Sequence, residues 1–235
     1  MIDIRPFASL GHANHGWLDA RHHFSFANYH DPDRMGWGNI RVWNDDTIQG
    51  QSGFPPHPHR DMEIVTFVRT GAITHRDSLG NEGRTAAGDV QVMSAGRGIW
   101  HSEYNRSDAA TTLFQIWIEP NKNNVTPRWD SMKFPSKRNN KQLPLLVSGY
   151  PEDKNGALFI HQYARLFGGR ISKGAQIKHA ITHQVYILAS QGTIELVEGR
   201  QRITMNKGDG AEVSLSNMVQ INALTDSEVI VIDVP

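Results

Sequence analysis

Short β-type runs separated by turn residues limit the fold of this chain more than any other feature. The runs are rich in Val, Ile, Thr and aromatic residues and lie between clusters of Gly, Pro, Asn and Asp. Examples along the chain are NIRVW, MEIVTFV, GDVQVMS, TLFQIWIE, QVYILAS, GTIELVE and EVIVIDV. No sustained helical period appears, and strands at this spacing are typical of β-sandwiches and barrels. We therefore predict an all-β protein.

A polar segment with several prolines divides the chain. Residues 126–144, TPRWDSMKFPSKRNNKQLP, are basic and lack an apolar pattern, which is typical of a linker. The chain of 235 residues is long enough for two domains, each with its own core. We place the boundary near Pro135 and predict an N-terminal domain over 1–135 and a C-terminal domain over 136–235.

The two halves look like copies of one β unit. Gly71 begins a GAI turn and Gly88 follows as GD, while Gly192 begins a GTI turn and Gly208 follows as GD. These glycines are seventeen residues apart in the first half and sixteen apart in the second. Matched turn residues at so similar a spacing indicate an internal duplication.

Two pairs of metal-binding side chains lie in β-type runs of the first half. His57 and His59 are two residues apart, as are His101 and Glu103. Side chains two apart in a strand point to the same face, so two facing strands would present four ligands to one cation. Imidazole and carboxylate accept Fe, Mn, Co, Ni, Cu or Zn. Four ligands on an octahedral ion leave two positions for water, substrate or dioxygen.

The alternative to a metal site is that these two residue pairs occur by chance, because the chain contains twelve histidines. Two pairs at strand spacing, in one β-rich copy, favour a metal site over chance. Glu63 has the same strand parity as His57 and His59 and is a further ligand candidate. Its alternative role is a buried carboxyl that hydrogen-bonds a residue next to the ligands.

The second half lacks the ligands when the copies are aligned on their glycines. Counting back from Gly192 reaches Lys178 and Ala180, and counting forward from Gly208 reaches Ile221 and Ala223. His179 lies one residue away, but a one-residue slip in a strand turns a side chain to the opposite face. We therefore expect a C-terminal domain without metal ligands that has a structural role.

The metal-binding segments also carry a family resemblance. HPHRDMEIVTFVRTG resembles the first cupin motif, and GDVQVMSAGRGIWHSEYN resembles the second, with Ser94 and Ala95 where a proline-containing turn is usual. Together with HGWLDARHHFSFANYHDP near the N-terminus, these segments resemble the pirin family. The resemblance implies two tandem cupin domains, which are jelly-roll β-barrels, in a bicupin. It also implies that His57, His59, His101 and Glu103 hold the metal and that Glu63 does not.

What the resemblance implies for function is a single metal ion, usually iron, and quercetin 2,3-dioxygenase activity. Such an enzyme opens the heterocyclic ring of a flavonol with O2 and releases carbon monoxide. Zn, Mn, Ni, Co and Cu are the alternative metals. Glu103 is the expected general base. Candidates for an apolar substrate pocket, each with core packing as its alternative role, are Phe24, Phe26, Phe54, Met62, Met93 and Ile99.

A second function hypothesis is a metal-responsive regulatory protein that docks on a partner protein through its C-terminal domain. A pull-down with and without chelator would separate the two hypotheses. Twenty-four basic and twenty-four acidic residues balance, which gives no electrostatic support for binding to nucleic acid or a membrane surface. There is no cysteine and no apolar stretch of membrane-spanning length, so we expect a cytoplasmic protein, and a monomer.

Overall fold

β-Strands form most of the regular structure in this computed structural model, which describes residues 1–134 and 136–235. In chain order the strands are β1 (Ile2–Arg5), β2 (Gly11–Asn14), β3 (Leu18–His22), β4 (Ile40–Ile48), β5 (Ser52–His59), β6 (Glu63–Thr70), β7 (Ala72–Asp77), β8 (Glu82–Ala86), β9 (Asp89–Ser94), β10 (Ile99–Asn105) and β11 (Thr111–Ile118). They continue as β12 (Arg128–Lys133), β13 (Leu145–Ser148), β14 (Leu158–Phe159), β15 (Arg165–Ile171), β16 (Gln176–Ala180), β17 (Gln184–Gln191), β18 (Thr193–Glu198), β19 (Gln201–Asn206), β20 (Gly210–Val213), β21 (Met218–Ala223) and β22 (Ser227–Val234). Short 3-10 helices cover Phe7–Ser9, Pro32–Arg34 and Pro151–Asp153.

The all-β prediction is confirmed by this order of elements. Within the described ranges, no helix has the length and apolar character needed to cross a membrane.

The described residues divide into two compact units. The N-terminal unit contains Gly11–Phe134 and Leu158–Gln162, and the C-terminal unit contains Met1–Leu10, residues 136–157 and Tyr163–Pro235. The predicted boundary residue, Pro135, lies outside the described residues. These units differ from the predicted domains, 1–135 and 136–235, in two segments, residues 1–10 and residues 158–162.

Hydrogen bonds explain both differing segments, because a segment stays where its N–H and C=O groups find partners. β1 pairs along β20, with Ile2 opposite Val213, and so belongs to the C-terminal unit. In residues 158–162, the Gln162 side-chain amide donates to the carbonyl oxygen of Glu119, and His161 accepts from the N–H of Asn121. These bonds hold the segment in the N-terminal unit.

The described strands of the N-terminal unit form a large and a small antiparallel sheet. The large sheet has the order β12-β9-β6-β11-β4-β3-β2, and the small one has the order β5-β10-β7-β8. Apolar side chains from both sheets, among them Val68 of β6 and Ile73 of β7, pack in one core cluster. The small sheet therefore covers one face of the large sheet, and its strands β5 and β10 carry the two predicted ligand pairs.

The C-terminal unit repeats this arrangement. One sheet contains β1-β20-β17-β22-β15-β13 in that order, and the other contains β16-β21-β18-β19. The turn glycines correspond as predicted, because Gly71 and Gly192 have φ of 72° and 76°, and Gly88 and Gly208 have φ of 87° and 88°. All four adopt the left-handed conformation that favours glycine. The predicted duplication is therefore visible in the strand order and in the turns.

The predicted correspondence of Lys178 and Ala180 with the first ligand pair is wrong by one residue. In β16 the side chains of Ile177 and His179 are buried, whereas Lys178 and Ala180 are exposed. His179 pairs with Val219, and Ile177 pairs with Ile221. Three residues separate His59 from the start of β6 at Glu63, whereas four separate His179 from the start of β17 at Gln184, so counting from the turn glycine misses the register that β21 imposes.

His179 is consequently the counterpart of His59, and one imidazole of the ligand set survives in the C-terminal unit. The other three positions are occupied by Ile177, Ile221 and Ala223, all buried in the apolar core. Among the described residues, groups of three or more His, Asp or Glu side chains close enough to hold a metal ion occur in the N-terminal unit alone.

Gly53 allows β5 and β10 to pair closely beside the predicted site. It lies opposite Tyr104, and a Cβ atom at this position would overlap the carbonyl oxygen of Glu103 and the Cα of Tyr104. Both are backbone atoms, which cannot turn away as the end of a side chain can. Glycine is therefore required here for the strand pairing itself.

We expect Gly53→Ala to lower the free energy of unfolding by about 1–3 kcal/mol, the usual cost of overpacking. Chemical denaturation measures the change. Gly156→Ala is the matched control, because a Cβ at Gly156 meets no atom within 4 Å. Equal stability of the two variants would show that the β5–β10 pairing tolerates a side chain at Gly53.

Candidate metal centre

The pairing of β5 with β10 brings three histidines together. His101 lies directly opposite His57, and Ile99 lies opposite His59. Within the described part of the chain, the ligand atoms of His57, His59 and His101 all lie within 4.8 Å of one another. The Nε2 atoms of His101 and His57 are 3.1 Å apart. These three predicted ligands therefore form one group, with His101 buried and the other two half-buried.

Hydrogen bonding and burial leave these imidazoles ready to bind a cation. Nδ1 of His57 donates to the carbonyl oxygen of Pro55 at 2.8 Å, so its Nε2 carries the lone pair. Burial, together with the neighbouring histidines, lowers the pKa of His101 to about 2. Burial and His57 lower the pKa of His59 to about 4. His59 and His101 are consequently neutral at pH 7, which is the form that binds metals.

Glu103 points into the unit beside His101. Its side chain is 1% exposed, and a register shift between His101 and Glu103 places Glu103 opposite Phe54 of β5. One carboxyl oxygen accepts from the Gln91 amide and the other from the Gln115 amide, each at 2.5 Å. Burial raises the pKa of Glu103 to about 7, against the opposing effect of these hydrogen bonds and one from Thr66.

Glu103 belongs to a second group, which shares His101 with the first. In the described residues, the ligand atoms of His75, His101 and Glu103 lie within 4.8 Å of one another. His75 is on β7, directly opposite Glu103. The structure thus brings the four predicted ligands into two overlapping groups and adds His75 to the second.

Sequence reasoning missed His75, Gln91 and Gln115. His75 lies in the run THRD, where His75 and Asp77 are two residues apart, so the strand parity that selected the other pairs also applied here. The two glutamines lie on β9 and β11 without any ligand spacing. Strand pairing alone brings their amide groups to Glu103.

Comparison with known proteins connects this architecture to a family. A family model described as Pirin matches residues 4–118, and one described as Quercetinase C-terminal cupin domain matches residues 145–234. A protein named pirin-like protein, from Caulobacter vibrioides, is 48% identical over 99% of both chains. The chain belongs to the pirin family. The predicted fold of two tandem cupin domains is confirmed with it.

Two further relatives of this pirin come from Escherichia coli. A protein named quercetin 2,3-dioxygenase, from strain K12, is 42% identical over all of this chain and 99% of its own. The crystal structure of the bacterial pirin YhhW in complex with nickel(II) matches with a TM-score of 0.92 and 41% identity, covering 100% of this chain and 99% of that one. The similarity to both relatives therefore spans both units of the chain.

Aromatic rings flank the histidine group of this pirin on two sides. The ring of Trp117 is 4.9 Å from that of His59, and Phe26 packs edge-on against Trp117 at 5.5 Å. Phe54 is 6.3 Å from His57 and packs against Trp17 at 5.1 Å. Two of the predicted pocket residues are thus half-buried near the predicted ligands, Phe54 next to His57 and Phe26 next to Trp117. The tryptophans were not predicted.

The other predicted pocket residues pack mainly in the core. Phe24, Met93 and Ile99 are at most 2% exposed. Met62 packs against the apolar cluster that contains Met93 and Ile99. Ile99 also lines a surface cleft of about 490 Å³ that reaches His59. Their burial agrees with the core-packing alternative.

Glu63 faces away from the ligands. In the pairing of β6 with β9 it lies opposite Ser94, whose hydroxyl donates to its carboxyl at 2.7 Å. Thr66, which donates to Glu103, is three residues along the same strand and therefore points to the other face. Burial raises the pKa of Glu63 to about 7, opposed by Ser94, the His161 backbone and Arg128. None of these neighbouring groups is a predicted ligand.

We expect Glu63→Gln to stabilise the metal-free protein in a pH-dependent way. Because the pKa rises from 4.5 to about 7 on folding, folded Glu63 keeps its proton to higher pH, and stability is lost as the pH rises through that interval. The variant should gain on the order of 1–3 kcal/mol at pH 8 and little at pH 4.5. Urea denaturation at both pH values measures the difference. Replacing the exposed Glu119 by Gln is the control, and a pH-independent difference for Glu63→Gln would contradict the buried, protonated carboxyl.

Proposed function

We propose that this pirin is a metal-dependent dioxygenase that opens the ring of a flavonol-like aromatic compound with O2. The observation that carries the proposal is the convergence of three imidazoles at a half-buried position, with aromatic rings beside two of them. A closed structural site has no need of such neighbours, whereas a flat aromatic substrate requires apolar walls next to the metal. The quercetin 2,3-dioxygenase name of the Escherichia coli relative supports the same reaction class.

The donor set fits a divalent first-row metal. Nδ1 of His57 donates to Pro55, so its Nε2, 3.1 Å from Nε2 of His101, is the atom offered to a metal, and His101 has a buried Nδ1 without a hydrogen-bond partner among the described residues. His57, His59, His101 and Glu103 would hold the ion, which we propose is iron. A bound metal would supply Lewis acidity and a site for the substrate oxygen and O2 to react. The nickel complex of the related pirin supports a divalent ion of this class.

The residues around the ligands would bind the substrate and move its proton. Phe26 and Trp117 on one side, and Phe54 and Trp17 on the other, would contact the flat rings. Glu103 is the proposed general base for the 3-hydroxyl of the substrate, because its carboxyl lies in the same group as the buried His101. Gln91 and Gln115 hold its carboxyl oxygens and stabilise the charged form.

Incubation of iron-loaded protein with quercetin tests the proposal. We expect flavonol absorbance to fall in air and to persist without O2, with one carbon monoxide released for each O2 consumed. His101→Ala should lower the rate by roughly a hundredfold or more, since loss of a ligand exceeds the usual effect of a residue that only supports one. Equal absorbance traces with and without O2 would contradict the proposal.

His179→Gln is the matched control for that variant. It also replaces a buried histidine, but one in the C-terminal unit, where it packs edge-on against Phe167. We expect it to retain the wild-type rate. Equal losses in the two variants would show that the rate follows stability and not the metal ligands.

A further inference from the structure

His75 has the surroundings of a metal ligand. The side chain is fully buried on β7, and its Nε2 lies 3.0 Å from a carboxyl oxygen of Asp77. Its Nδ1 is buried and has no hydrogen-bond partner among the described residues. A histidine that binds a metal through one ring nitrogen commonly donates the other N–H to a carboxylate. His75 has such a carboxylate acceptor, Asp77, on one side and a nitrogen without a hydrogen-bond partner among the described residues on the other.

Asp77 is itself fixed in the orientation that this role requires. One of its oxygens accepts from the backbone N–H groups of Leu79 and Asn81, at 2.9 and 3.1 Å. The other accepts from the Asn81 side-chain amide at 2.9 Å as well as from His75. These donors favour a carboxylate that accepts the Nε2–H of His75. The tautomer that results places the lone pair of His75 on Nδ1.

A stacked tryptophan fixes the plane of the His75 ring. Trp129 lies parallel to it, with ring centroids 5.0 Å apart and 8° between the planes. Gly83 pairs with His75 on the neighbouring strand, and a side chain there would overlap the Trp129 ring. The orientation of His75 is therefore set by a hydrogen bond, a stacking contact and a glycine that leaves room for both.

The neighbours of His75 complete a set of metal donors. His101 and Glu103 present ligand atoms within 4.8 Å of that of His75. This group contains one carboxylate and has Asp77 directly behind it, whereas the group of His57, His59 and His101 contains imidazoles alone. A buried divalent cation needs negative charge close by. The two carboxylates provide it at the inner group.

We propose that His75, His101 and Glu103 form an inner seat for a divalent first-row metal ion, next to the seat that His57 and His59 complete. The inference rests on the metal binding in the proposed function, and it does not depend on the oxygenase reaction. His101 and Glu103 are common to both descriptions of the centre, and His75 replaces the two half-buried histidines. Asp77 and Trp129 position His75 and do not contact the ion.

Cobalt binding to a protein without the two outer histidines tests the inner seat. His57 and His59 are both half-buried, and we expect the double variant His57→Gln, His59→Gln to fold and to bind one Co²⁺ more weakly than the wild type. Adding His75→Gln should weaken Co²⁺ binding by roughly a further hundredfold or more, since loss of a ligand exceeds the tenfold to hundredfold effect of a residue that only supports one. Adding His179→Gln instead is the control and should leave the affinity of the double variant unchanged.

Competition with a chromophoric chelator gives the affinities, and circular dichroism checks folding. If the triple variant with His75→Gln does not fold, Asp77→Asn in the double variant takes its place, with an expected loss of roughly tenfold. In the Co²⁺-loaded double variant, the ring N–H of His75 should appear as a paramagnetically shifted, slowly exchanging proton resonance. That resonance would be absent if His75 only packs.

The outcomes separate this inference from the proposed function. A wild type that binds Co²⁺ beside a double variant that does not would overturn the inner seat alone. The same holds if the double variant binds Co²⁺ equally well with and without His75. A wild type that binds no Co²⁺ would overturn both. If metal binding depends on His75 but the protein consumes neither O2 nor quercetin, the inner seat stands and the proposed dioxygenase function is wrong.

Discussion

The antiparallel pairing of β5 with β10 is the interaction on which the candidate metal centre depends. It sets His57 opposite His101 and turns the alternate residues of β10, Ile99, His101 and Glu103, toward the interior. Gly53 permits the close approach of the two backbones. After the register shift that follows His101, Glu103 lies opposite Phe54 of β5 and opposite His75 of β7. The pairing of β10 with both of its neighbours therefore decides which residues Glu103 meets.

Burial of charge is the second constraint on this centre. Glu103 is enclosed with amide donors on both oxygens, and Asp77 is surrounded by backbone and side-chain donors. Such groups would be costly in an apolar core, and their hydrogen bonds offset that cost. Hydrophobic packing holds the barrel around them, with Trp117 and Trp129 in contact both with the core and with a histidine. The interior of the N-terminal unit is therefore polar around Glu103 and Asp77 and apolar in its core clusters.

The C-terminal unit shows that the same strand order can form without the group of candidate metal ligands. In the C-terminal unit the positions of three ligands are occupied by Ile177, Ile221 and Ala223, and the remaining histidine packs against Phe167. A single imidazole among apolar side chains cannot hold a cation, because a metal needs several donors and nearby charge. Replacement of ligands by apolar residues changes a polar centre into ordinary core while the strand order stays the same.

The sequence by itself determined the all-β class, the duplication, the turn glycines and the two ligand pairs, because these depend on residue type and on spacing within one strand. Tertiary structure decided what depends on pairing between strands. One extra residue between His179 and the start of β17 puts His179 on the inner face, where counting had placed Lys178 and Ala180. Cross-strand register brought His75 and the two glutamines to Glu103, and it turned Glu63 to the far face. Spacing along a chain fixes which side chains share a face, but only the pairing of strands fixes which faces meet.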